Sequence, residues 1–283
     1  MIEAPASTPS ARGVVVESVH DVCRFVDELE GRGAGELVVT GDAALGAVFV
    51  QDARICWAAA AGLARRLTEL LMSHAGVDHR TMERLYSTCK RESLPLGEYL
   101  VDRGIVRPED LRSVLAQHTV ESLLTLVGPG RCARWLPRPH GGYSARFTFG
   151  TAEVLSLAGG ICEPELVGCA LDEMAGCFFS DEWAAAFVRT GDRAAPHPVA
   201  LYGPAPESAA VLVRHAKWAI SALDVVAAFG GAPEIVAVTL PEGRGARALV
   251  AYWYDGLVIV AEGDPQCAAR VLNRRGQRKR GRG

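Results

Sequence analysis

The sequence predicts an α+β protein of two domains. Three observations carry that expectation. Hydrophobic spacing switches repeatedly between a period near 3.6 and a period of about 2, and the switches fall at glycine-rich breaks such as GRGAG at 31–35. A chain of 283 residues, 49% hydrophobic and 22% charged, is long enough for two ordinary cores and soluble in composition. Third, the stretch Glu207–Phe229, ESAAVLVRHAKWAISALDVVAAF, reads as one long helix apolar on two faces, around which the second half is arranged.

Taken in order, residues 14–30, VVVESVHDVCRFVDELE, place Val16, Val19, Cys23, Phe25, Val26 and Leu29 near helical spacing. Beyond GRGAG the period changes, and GELVVTGDAALGAVFVQDARICWAAAAG reads as two or three short strands with a hairpin turn at Gln51–Arg54. LARRLTELLMSHAG is a helix with Leu63, Leu67, Leu70 and Leu71 on one face and a stop at Gly76; residues 77–93 form a polar helix. In LGEYLVDRGIVRPEDL, Gly104 closes one helix before the next begins. Residues 128–142, GPGRCARWLPRPHGG, read as a turn-rich connection leading into a strand ARFTF; Tyr143 and Arg146 beside it suggest an anion cradle, although no phosphate-loop spacing follows.

The second half reads as a helix at 163–177, strands at 183–189 and 198–202, the two-faced helix, and strands EIVAVTL, ARALVAYWY and GLVIVAEG. A final helix, DPQCAARVL, carries Asp264 as its cap and Pro265 in its first turn. Asp255-Gly256 is a hairpin turn, and Gly230-Gly231 ends the long helix.

At about 100° per residue, Ala209, Leu212, Val213, Ala216, Ala219, Ile220, Leu223, Val226 and Ala227 share one broad face of that helix. A second stripe, Val211, Trp218, Ala222, Val225 and Phe229, lies in a separate arc. A helix apolar on two faces needs two partners. One is its own sheet; the other is a further layer of the same core or a second protein subunit.

The order helix, GELVVT, hairpin, outgoing strand with Ala58, leucine-faced helix, LGEYLVDRGIVRPEDL and ARFTFGTAEVLSLAGG resembles the bacterial PATAN family over roughly residues 14–160. That family has Asp-Gly-Arg at the hairpin where this chain has Asp52, Ala53 and Arg54. The resemblance implies a non-catalytic module of signalling and motility systems. PLGEYLVDRGIVRPEDLRSVLAQH also resembles one repeat of the N-terminal domain of type II secretion ATPases, some of which bind cyclic di-GMP. Here Pro95 replaces the arginine of the nucleotide-binding version and His118 its glutamine, which removes a guanidinium that stacks on guanine and contacts phosphate.

The second half, above all ALVAYWYDGLVIVAEGDPQCAARVL, is similar to the roadblock family. That likeness implies a five-stranded antiparallel sheet, of roadblock/profilin type, whose long helix pairs with the same helix of another roadblock subunit. The expected organisation is a PATAN-like domain at 14–160, a roadblock-like domain at 163–275 and a basic disordered tail at 276–283.

No phosphate loop, zincin motif, nucleophile elbow or dinucleotide fingerprint is present in the sequence. The eight cysteines contain no C-x-x-C pair and read as reduced core residues; Cys162, Cys169 and Cys177 have no zinc-knuckle spacing and are expected to face a core. Asp181-Glu182 reads as a helix cap in preference to a catalytic pair, because adjacent side chains diverge, and His197 as an exposed connection residue. The net charge of −3 conceals a basic end: Arg274, Arg275, Arg278, Lys279, Arg280 and Arg282 carry no acid among them, and the remainder balances 24 basic against 33 acidic residues. Specific nucleic-acid binding is not expected of such a body. The first residues lack a charged start and apolar run, so a cytoplasmic protein is expected.

Together these readings suggest a non-enzymatic bacterial signalling adaptor, without cofactor or metal, that binds a small Ras-like GTPase or another roadblock protein as a homo- or heterodimer. The interface residues are Val211, Trp218, Ala222, Val225 and Phe229. The alternative is a cyclic-dinucleotide sensor using residues 95–118.

Overall fold

The chain divides into a first unit ending at Phe149 and a second starting at Gly150. Each is built on a five-stranded antiparallel sheet within a mixed α+β fold. The computed structural model describes residues 13–41, 44–63, 66–92, 94–138, 143–188, 197–203, 212, 215–216, 218–223, 236–242 and 245–281.

In the first unit, β1 (Val14–Val15), α1 (Val19–Asp27), β2 (Ala34–Thr40), β3 (Ala44–Gln51) and β4 (Arg54–Ala60) come before four helices. These are α2 (Leu67–Ala75), α3 (His79–Glu92), α4 (Leu96–Asp102) and α5 (Pro108–Leu126), followed by β5 (Cys132–Pro137). The sheet order is β1-β5-β2-β3-β4. The helical reading of 14–30 begins too early. Val14 and Val15 pair with Ala133 and Cys132, and α1 starts only after Ser18. Ser18 Oγ accepts the Asp21 amide at 3.3 Å while Asp21 Oδ2 accepts the Ser18 amide at 3.0 Å, a reciprocal capping box that sets the boundary.

Two further expectations fail here for identifiable reasons. The connection expected at 128–142 contains β5, which lies between β1 and β2, pairing Leu37 with Trp135 and Val39 with Ala133. Ala133 and Trp135 are buried and Arg134 between them is exposed, so a period-2 signal was present beneath the Pro and Gly count. The expected strand ARFTF is a 3-10 turn at Ala145–Phe147, followed by a single bridge in which Ile55 and Phe149 exchange amide hydrogen bonds of 2.9 and 2.8 Å. Arg54 donates to Thr148 Oγ1 and O, and Arg112 to the Arg146 and Thr148 carbonyls, satisfying this backbone outside any ladder.

The β3–β4 hairpin closes through Asp52 at φ 51° and Ala53 at φ 56°, two successive left-handed residues as a type I′ turn demands. Ala53 carries a Cβ in a region that costs an L-residue about 1 kcal/mol. Ala53→Gly is therefore expected to stabilise the first unit by about 0.5–1 kcal/mol after glycine's own entropic cost. An upward shift in the denaturation midpoint checks it; an unchanged or lower midpoint contradicts it. Above the sheet, Leu70, Leu71, Met82, Leu100, Val106, Leu111 and Val114 of the helical layer pack with Phe147.

The second unit runs α6 (Thr151–Cys162), α7 (Pro164–Cys177), β6 (Trp183–Val188) and β7 (His197–Tyr202). A helix, α8, follows, described at residues 212, 215–216 and 218–223. Then come β8 (Val236–Glu242), β9 (Gly245–Tyr254), β10 (Leu257–Gly263) and α9 (Cys267–Gly281). The order β7-β6-β10-β9-β8 places β10 centrally, and every residue of it is buried. That is why LVIVA reads as a continuous apolar run with no alternation.

One face of this sheet meets α7 and α9 through Ala170, Met174, Cys177, Cys267 and Val271, packed on Ala186, Val250, Tyr252 and Ile259. α6 lies against β7 so closely that a Cβ on Gly159 would stand 2.8 Å from the Val199 carbonyl oxygen. Residues 151–160, expected at the end of the first domain, therefore belong to the second unit. The boundary falls at 149/150, not near 160.

The tail expected to be disordered from 276 continues α9 to Gly281. Its beginning is held by charge: Arg274 Nε donates to Glu173 Oε2 at 3.1 Å, and Glu173 is fully buried. The sequence shows Arg274 only as one member of a basic end without acids. A basic residue in a run shows its partner only when the fold brings up a buried carboxylate.

Candidate functional site

The strongest functional feature is α8. Leu212, Ala216, Ala219, Ile220 and Leu223 are buried and pack on Ala185, Phe187, Leu249, Ala251, Val258 and Val260, the sheet face opposite α7 and α9. These residues recur at three- and four-residue steps, so one face of the helix is consumed by its own domain. Trp218 stands outside that contact with 54% of its surface exposed. Ala222, one turn on, is half-buried. Of the expected stripe, these two are described, while Val211, Val225 and Phe229 lie outside the described residues.

The roll of α8 about its axis is secured by a polar contact that the sequence reading missed. Glu262, almost buried at the end of β10, receives His215 Nδ1 of α8 at 3.1 Å and Arg247 Nε of β9 at 3.6 Å. Trp218, three residues on, lies about 60° round the helix from His215 and about 120–140° from Leu212 and Leu223, so it borders the tethered side and clears the sealed face. A Glu inside the apolar run VIVAEG was the available signal, because a carboxylate there requires a partner.

The remaining sequence candidates resolve differently. Glu182 is a buried structural anion: Arg270 clasps both its oxygens, and the amides of Phe179 and Asp264 donate to it at 2.7 and 2.9 Å. Asp181 beside it is exposed, so the pair does not converge. Cys162 and Cys169 are exposed, against the expectation that they face a core; Cys177 is buried. Burial, then Glu173, pushes the Cys177 thiol up to about 11, and burial pushes Cys56 up to about 12, so both thiols are protonated and poor nucleophiles at neutral pH. His197 opens β7, and its side chain lies outside the described residues.

Tyr143 accepts the Trp57 indole N–H at 3.0 Å, and Arg146 lies on the surface 3.7 Å from Glu109; neither forms an anion cradle. Among the described residues no group of three His, Cys, Asp or Glu side chains converges as a metal site, and no helix is long and apolar enough to cross a membrane. No protein-family model, no curated protein and no solved structure matches the chain.

Proposed function

We propose that the protein is a non-enzymatic signalling adaptor whose second unit acts as a roadblock-like module, presenting the outer face of α8 to a roadblock-type subunit or a small Ras-like GTPase. The observation that carries this reading is the division of labour on α8: Leu212, Ala216, Ala219, Ile220 and Leu223 are sealed on the sheet, and Trp218 is left 54% exposed on the same helix. An exposed tryptophan on a helix packed on its own sheet is the residue type that anchors protein interfaces. The five-stranded antiparallel sheet with α8 packed on one face supports the roadblock-like reading. Any nucleotide hydrolysis belongs to the partner in this reading.

Burying Trp218 across such an interface contributes about 2 kcal/mol per subunit before ordering costs. Trp218→Glu is expected to split a dimer in sedimentation velocity, or to abolish capture of a small GTPase, while the melting transition stays within about 1 kcal/mol of the parent. Leu223→Ala, on the sealed face, serves as the opposite control and is expected to lose about 2–5 kcal/mol of stability. If Trp218→Glu unfolds the second unit, or leaves a dimer intact, the outer face is not the interface.

A further inference from the structure

We draw no further inference here: the strongest candidate, the apolar groove of the first unit among β4, the helices α2 to α5, Tyr143 and Phe147, carries nothing because nothing in the structure shows what covers it.

Discussion

Gly46→Ala is expected to cost the first unit at least about 4 kcal/mol, enough to unfold it in moderate urea. Gly46 is the third residue of β3, opposite Val39 on one side and Ala60 on the other, at φ 153°. An added Cβ would stand 2.0 Å from the Ala59 carbonyl oxygen and 2.9 Å from Leu126 Cδ2. The first neighbour is backbone and cannot rotate away. Relief therefore requires parting β3 from β4, with loss of contacts such as the 2.7 Å bond from the Ala61 amide to the Leu45 carbonyl. Urea unfolding followed through the first unit's Trp57 and Trp135 measures the loss, and a cost under about 1 kcal/mol would show that the strand absorbs the methyl. Ala53→Gly, in the turn after the same strand, has the opposite sign because there the existing Cβ is the misfit.

The second large effect is expected at Glu182. Its replacement by leucine leaves the Arg270 guanidinium, 24% exposed, without the carboxylate that its Nη2 holds, and strands the Phe179 and Asp264 amides. Breaking a buried pair from one side costs about 3–5 kcal/mol; with Arg270 in partial contact with water, about 3 kcal/mol is the expected loss for the second unit. Arg270 also donates to the Cys177 carbonyl at 3.0 Å and lies 4.2 Å over the Phe179 ring. The variant should therefore loosen α9, seen as faster amide exchange in that helix before global unfolding. Adding Arg270→Met to Glu182→Leu is expected to recover part of the loss, since an apolar pair in that space removes the stranded charge. A double variant less stable than either single one would show that Arg270 is held mainly by its other contacts.

Local signals carried much of this fold. Gly76 and Gly104 at φ 62° and 66° end their helices where the sequence places the stops, and Asp255-Gly256 turns as its residue types dictate. The sealed face of α8 follows the helical period, and its described residues are buried as expected. The errors arose where a tertiary partner outweighed local composition. RCARWLP, flanked by Gly and Pro, becomes a strand because β1 and β2 both offer it unpaired edges. TAEVLSLAGG falls in the first domain by its place in the PATAN resemblance, but Gly159 fits the backbone of β7, a contact invisible to any local window. The polar anchors were least legible. Glu182, Glu262 and Glu173 acquire meaning from Arg270, His215 and Arg274, and nothing in their spacing announces those partners.

The strand orders of the two sheets also carry a kinetic consequence. In each unit the last strand to be made is an inner one: β5 separates β1 from β2, and β10 separates β6 from β9. Phe187 meets its neighbour Val258, and Leu37 its neighbour Trp135, only after the intervening helices and strands have been synthesised. Such distant pairings raise contact order and delay the folding nucleus. While a ribosome is still extending either unit, β2 and β6 present open hydrogen-bonding edges, the condition in which a partly made sheet recruits chaperones or foreign strands. The completed chain removes that hazard by inserting its final strand into the gap, so stable folding of each half is tied to finishing its translation.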